Sequence, residues 1–277
     1  MYIDTMFPDE LDRYFSDAVQ AQGALPAHAP GAVQQGAGLA AVLPIGSVEQ
    51  HGPHLLLGCD GFIAFALAHM TANKLGAVLY PLIPFSWIGG LRPFAGTIDL
   101  RPFVTAEYME QIGLGIFRQG FSRLVIVNCH GGGREMVYSV ARRLFKKVGK
   151  PVITEYPSNF YDSWPEIKDI WTSNGMDFDW AAFEAAELIG ALEYLGKKDI
   201  ADKVQRNAKD AIAEFGEDVR IPEHPGLQSV FRLGEAGHDY IHECMHVPPR
   251  KKINPGAGIK VLDFMAEKLA WGTIYAE

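Results

Sequence analysis

The chain has 277 residues, of which 48% are hydrophobic and 21% charged, a balance that excludes a disordered polymer and suffices for a large buried core. A formal net charge of -8 argues against nucleic-acid or anionic-membrane surfaces: phosphate binding needs clustered Lys and Arg, and the one dense basic run is Arg250-Lys251-Lys252. Cys59, Cys129 and Cys244 are odd in number and widely spaced, so they offer neither a disulfide framework nor a CxxC zinc site, and a reducing, cytoplasmic setting is expected.

The N-terminal "MYIDTMFPDELDRYF" has acids where a secretory leader would carry bases, and the apolar stretch "FIAFALAHM" is far too short to span a bilayer. Residues 9–22 read as a helix, followed by a Gly-, Pro- and Ala-rich loop that completes an N-terminal segment 1–38. "LAAVLPIG" (39–46) is an apolar run bounded by glycine, the pattern of a strand buried on both faces. A helix over 61–76 and a strand over 77–85 come next. A second cycle repeats the order, with a helix around 105–120, a strand at 123–129, a helix around 134–148 and a strand at 150–157. Strands alternating with helices of this length imply an α/β domain with a mostly parallel sheet covered on both faces.

The segment 158–180 is aromatic, with Phe160, Tyr161, Trp164, Trp171, Phe178 and Trp180, and fits either packing between layers or a substrate-lining lid. "AAFEAAELIGALEYLG" (181–196) is a strong helix. Residues 197–256 are polar, resist assignment and read as a late insertion, and an amphipathic helix over 258–276 closes the chain. With no repeat or low-complexity linker to mark a boundary, residues 1–277 read as a single domain.

The chemistry-bearing residues fall at strand ends. Glu49 and His51 lie two apart just beyond the first strand, so in extended backbone they point the same way and can share an ion. Asp60 opens the following helix, where it can act as an N-cap or as a carboxylate leaning over the sheet edge. His130 follows the strand "RLVIVNC" and precedes Gly131–Gly133, the place where open α/β sheets gather ligand-binding groups. A phosphate-cradling loop is the weaker reading of those glycines, since no GK[ST] follows them. Cys129 and His130 are strand neighbours and face opposite sides, which disfavours a Cys-His nucleophile and makes Cys129 a structural thiol. Cys59 has the same reading, and His54 is either a hydrogen-bond partner of a ligand carboxylate or a surface residue.

"LPIGSVEQHGPHLLLGCD", followed by "PFAGTIDL" and "VNCHGGG", resembles the creatininase (creatinine amidohydrolase) family. The resemblance is clear over residues 39 to 135, and "NPGAGIKVLDFM" is weakly similar to the family's last helix. It implies a three-layer α/β/α sandwich with a two-metal site, the ions being Zn or Mn, with Fe also possible. Carried over residue by residue, Glu49 and His130 would bind one ion, His51 the other, and Asp60 would bridge them. The final ligand would be Glu187, whose helix then ends in register with the family's, with Glu184 one turn earlier as the alternative.

The family's proton-shuttling histidine aligns with Ala182, and an acidic residue of creatinine-hydrolysing members aligns with Gly132, which puts creatinine itself in doubt as substrate. Glu187 and the late histidines His224, His238, His242 and His246 are the candidates for proton transfer. The resemblance implies a hydrolase that opens a small polar ring at a cyclic amide C–N bond by means of a metal-bridging hydroxide. Hydrolytic C–C opening of a cyclic polyhydroxy diketone, or a non-catalytic metal-binding module, are the alternatives. A small-molecule substrate, no nucleic-acid or membrane partner, and a homo-oligomer, by resemblance a hexamer, complete the expectation.

Overall fold

The computed structural model describes residues 1–22, 39–52, 54–88, 91–92, 94–155, 164–176, 180–215 and 253–275. Four parallel strands form its centre: β1 (Ala40–Ile45), β2 (Val78–Leu79), β3 (Arg123–Asn128) and β4 (Val152–Glu155), ordered β2-β1-β3-β4 among the described residues. The register of the central pair sets Ile45 beside Asn128, so the two strands end at the same level. Side-chain alternation sends Ala40, Val42, Val125 and Val127 into one apolar layer and Ala41, Leu43, Ile45, Leu124 and Ile126 into the other. Both faces of the sheet are buried, as its continuous apolar runs require.

Helices cover the two faces. On one lie α1 (Pro8–Gln22), α3 (Pro102–Arg118) and α4 (Arg134–Val148), which bring Phe15, Met109, Ile116, Val140 and Leu144 to the core. On the other lie α2 (Cys59–Leu75), α5 (Pro165–Ser173), α6 (Trp180–Tyr194), α7 (Lys198–Phe215) and α8 (Pro255–Tyr275). The result is a three-layer α/β/α sandwich. No described helix is long and apolar enough to cross a membrane.

Three elements differ from the sequence reading. The strand expected over 77–85 keeps only two residues because Pro81 and Pro84 have no N–H for a ladder. The chain still tracks β1, donating Tyr80 N to the Val42 carbonyl (2.8 Å) and Ile83 N to the Pro44 carbonyl (3.0 Å). Within the late segment 197–256, residues 198–215 form a regular helix whose Ala201 and Val204 enter the core, while 216–252 lie outside the described residues. In the aromatic segment Trp171 is core: it stacks on Phe183 with ring centroids 4.4 Å apart and planes 8° from parallel. Trp164 packs edge-on to Phe264. Phe160, Tyr161 and Phe178 lie outside the described residues.

Close backbone approach is what brings the helices to the sheet's rim. A Cβ on Gly46 would stand 2.5 Å from the Gly61 Cα, so the start of α2 touches the chain leaving β1. A Cβ on Gly258 would stand 2.1 Å from the Ala186 carbonyl oxygen, and one on Gly190 would stand 2.7 Å from the Ile259 nitrogen, which locks α6 against α8. Gly272, in the same helix α8, has nothing among the described residues within 4 Å of such a Cβ. One chemical change in one helix therefore has opposite expected signs. Gly258→Ala should cost about 1–3 kcal/mol or more through overpacking. Gly272→Ala should gain up to about 1 kcal/mol through helix propensity. Urea unfolding of both variants checks this, and coincident midpoints would contradict the close α6–α8 crossing.

Candidate metal centre

Asp60 occupies the first turn of α2, which Gly58 caps without a side-chain bond; the N-cap reading of Asp60 is therefore replaced by the other one, a carboxylate turned to the sheet's rim. Its Oδ1 lies 3.1 Å from His51 Nε2 and its Oδ2 lies 3.1 Å from His130 Nδ1. Oδ2 also accepts the Ser47 hydroxyl at 2.7 Å. Glu49 joins through Oε1, 3.3 Å from His130 Nδ1 and 3.8 Å from His51 Nε2. All five side chains are buried.

Each imidazole is held from behind. His51 Nδ1 lies 3.0 Å from the Glu49 carbonyl oxygen and His130 Nε2 lies 2.9 Å from the Trp87 carbonyl oxygen, so each outer nitrogen donates to backbone. That fixes the tautomer and turns each inner nitrogen toward carboxylates. A neutral imidazole would then aim its lone pair at the lone pairs of Asp60, an arrangement that only a proton or a cation between them relieves. Without a cation it is a proton. Burial works to lower the pKa of His51, but Asp60, Glu184 and Glu49 outweigh it and push it up to about 10. His130 is likewise pushed up to about 10 against its burial, by Asp60 and Glu49. Burial would raise the Asp60 carboxyl, yet the two histidines hold it well below the usual carboxylate range. A divalent ion held by these residues would have to displace those protons, so cation affinity is expected to rise with pH.

The donors divide into two neighbouring groups. Glu49, Asp60 and His130 offer ligand atoms within 4.8 Å of one another, and so do His51, Cys59 and Glu184. Glu49 Oε2 is buried with no hydrogen-bond partner among the described residues. An orphaned carboxylate oxygen in a cage of carboxylates and inward-facing imidazoles suits borderline divalent cations.

The two candidates for the fifth position, Glu187 and Glu184, lie one turn apart on α6. Glu184 Oε1 lies 3.8 Å from His51 Nε2, with its side chain 25% exposed. Glu187, one turn on, is buried and acts electrostatically on the Cys59 and Cys129 thiols. The stacking of Phe183 on Trp171 sets the phase of α6 at this point, which register to the helix end alone does not report. His54 is buried, not on the surface. Cys59 and Cys129 are buried free thiols, pushed up in pKa first by burial and then by the acids around them. His224, His238, His242 and His246 lie outside the described residues.

Several supports escape sequence reasoning. Asn128 closes a ring with the His130 backbone, its Nδ2 donating to the His130 carbonyl (3.0 Å) and its Oδ1 accepting the His130 N–H (3.2 Å). Ser47 was findable by parity, two residues before Glu49 on a chain leaving a strand. The "PFAGTIDL" run orders the loops around the cage: Thr97 Oγ1 accepts Gln50 N (3.0 Å), Ile98 N donates to the Val48 carbonyl (2.9 Å), and Asp99 Oδ1 accepts Ile88 N (2.8 Å) beside Trp87. Gly96 sits beneath Leu57 at φ 84°, where a Cβ would come within 2.4 Å of that side chain.

A rim-borne cage of acids and imidazoles on an α/β/α sandwich defines an α/β protein with a candidate metal site. The family model for creatininase, creatinine amidohydrolase, matches residues 31–188, more than half of the 277, and the chain belongs to that family. It is 36% identical over 115 residues to the mycofactocin precursor peptide peptidase of Mycobacterium ulcerans, covering 37% of this chain and 44% of that one. It is 29% identical over 112 residues to the 3-dehydro-scyllo-inosose hydrolase of Thermotoga maritima, covering 39% and 34%. The matches thus span less than half the length of these curated relatives. Solved creatininase structures share the fold: a variant of Zn-Zn type superposes with TM-score 0.67 at 17% identity, covering 98% of this chain and 96% of that one. A manganese form superposes with TM-score 0.64 at 16% identity and the same coverage.

Two conservative variants separate the candidate fifth ligands. Glu184→Gln should lower the bound zinc or manganese by one ion per chain, and Glu187→Gln should leave the content unchanged, as measured by elemental analysis. The reverse result would return the ligand to Glu187.

Proposed function

We propose that this protein is a metal-dependent hydrolase that opens a small polar cyclic substrate at an amide C–N bond, using two divalent ions per chain, Zn or Mn, with Fe as a third possibility. The observation that carries the reading is Asp60, one oxygen at each of two buried, backbone-clamped imidazoles. Glu49, Asp60 and His130 would hold one ion and His51, Asp60 and Glu184 the other. Bound ions of this kind supply Lewis acidity to a substrate carbonyl and to a water.

The chain's own residues do the positioning. Ser47 holds Asp60 so that both of its oxygens stay in use. The Glu49 and Trp87 carbonyls keep His51 and His130 from turning away. Glu184 is the most open of the donors and marks the side from which substrate enters. So buried a cage suits a small ring better than a bulky chain, and it excludes bulk water from the reacting carbonyl. Proton delivery to the leaving nitrogen falls to Glu187 or to one of His224, His238 and His242. A soluble, cytoplasmic, single-domain homo-oligomer, by family resemblance a hexamer, with no nucleic-acid or membrane partner, completes the proposal.

A second reading is hydrolytic C–C opening of a cyclic polyhydroxy diketone. The likeness to the inosose hydrolase favours it, and so does Gly132. A Cβ there would lie 2.7 Å from His130 Nε2 and 3.1 Å from the Ile88 carbonyl oxygen, so an acidic side chain at that position would have to displace the His130 ring.

The test combines metal analysis with a panel of cyclic ureides, lactams, short peptides and cyclic polyhydroxy diketones. Opening of a ureide or lactam should be abolished by chelation, restored by zinc or manganese, and absent in Asp60→Ala, which should retain neither ion. Turnover of the diketones alone moves the assignment to C–C cleavage. Two ions retained in Asp60→Ala would remove the bridging role, and a wild-type protein that binds no divalent metal would overturn the reading.

A further inference from the structure

We propose that Cys59 is itself a ligand, so that the cation site on the His51 side is a mixed nitrogen, sulfur and oxygen site selective for thiophilic ions, while its neighbour is a nitrogen–oxygen site. The inference rests on the metal reading above and concerns which cation each half of the cage takes. The Cys59 Sγ, a His51 nitrogen and a Glu184 oxygen lie within 4.8 Å of one another, a spacing that one ion can span with small side-chain adjustments. Cys59 is fully buried at the start of α2, and the next residue, Asp60, reaches His51 Nε2 at 3.1 Å. The adjacent residues Cys59 and Asp60 therefore flank one imidazole.

An independent observation points to a cation at this place. The buried Glu49 carboxylate, whose Oε2 has no hydrogen-bond partner among the described residues, stands between the two half-sites with Oε1 3.3 Å from His130 Nδ1 and 3.8 Å from His51 Nε2, so negative charge converges on the His51 nitrogen from Glu49, Asp60 and Glu184. Cys129 is the internal contrast. It is a free, buried thiol in the same apolar layer, yet it belongs to neither cluster of three ligand atoms among the described residues. Burial alone thus does not account for the position of Cys59.

Softness then separates the two half-sites. Thiolate favours zinc, cadmium and cobalt over manganese, whereas Glu49, Asp60 and His130 present only oxygen and nitrogen. With zinc and manganese both present, zinc enters the cysteine side first. On binding, the thiol S–H is exchanged for a sulfur–metal bond, the proton leaves to the buffer, and no oxidation state changes.

The experiment loads the metal-free full-length chain with cobalt(II), measures cobalt per chain, and records the near-ultraviolet spectrum. The expected result is a thiolate-to-cobalt charge-transfer band. It disappears in Cys59→Ser, which still binds cobalt, and persists in Cys129→Ser. In competition the zinc-over-manganese preference should fall by about 10–100-fold in Cys59→Ser. Full cobalt loading of the wild type without the band overturns the proposal and leaves the metal reading standing, and so does a band that survives in Cys59→Ser. Failure of the wild type to bind cobalt, zinc or manganese overturns both. Should Cys59→Ser not fold, the wild-type spectrum together with the cadmium-113 resonance position of the cadmium-loaded chain decides the matter, since a thiolate ligand moves that resonance strongly downfield.

Discussion

The structure depends on one buried carboxylate shared between two imidazoles. Taking Asp60 out of water costs several kcal/mol after relaxation, and burying His51 and His130 adds to it. The cost is offset only if opposite charge sits within hydrogen-bonding distance and every remaining polar atom is used, which is why Ser47 and two backbone carbonyls are recruited. These partners come from the end of β1, the start of α2, the end of β3 and the loop carrying Trp87. The cage can form only when those four segments are in register, so it is a constraint on the fold as much as a product of it.

The sheet supplies that register. Because Ile45 pairs with Asn128, the chain leaving β1 toward Ser47, Glu49 and His51 and the chain leaving β3 toward His130 emerge side by side. Glycine then removes the bulk that would hold the helices away. Gly46 against Gly61 lets α2 deliver Asp60, and Gly190 and Gly258 let α6 sit close enough to α8 to set the height of Glu184. The helix pair is apolar and carries no ligand of its own except on α6, so its packing and the position of the last donor are one problem.

Most of this order was legible in the sequence because two periods announce it. Apolar runs bounded by glycine locate β1 and β3, and the acids and histidines placed just beyond them mark the rim where an α/β sheet binds ligands. What was not legible depends on three-dimensional phase. Which glutamate lies beside His51 turns on the rotation of α6, and with Phe183 stacked on Trp171 it is Glu184 Oε1 that stands 3.8 Å from His51 Nε2. Whether Asp60 caps a helix or bridges two histidines turns on where α2 begins, and it begins at Cys59, one residue before the carboxylate. The strand after α2 was overestimated because its apolar composition outweighed two prolines in the reading of 77–85. The helix 198–215 was missed for the opposite reason: its polar face is wide, and only Ala201, Val204 and a few neighbours report its contact with the core.

The position of Gly132 shows how a shared cage can serve different substrates. The His130 ring lies so close to Gly132 that a side chain at 132 must displace it, and His130 is the group that orients Asp60 Oδ2 and is clamped by Trp87. A side chain at 132 and the present His130 position therefore conflict, and one of them would have to shift. A change at 132 would therefore also disturb His130 and the candidate metal cage around it. Substrate preference is more readily altered on the open side near Glu184, where the donors meet solvent and where side chains can change without disturbing a clamped imidazole. Divergence in this architecture is expected to concentrate there, with the inner donors held in place by the electrostatics of the buried pair of histidines.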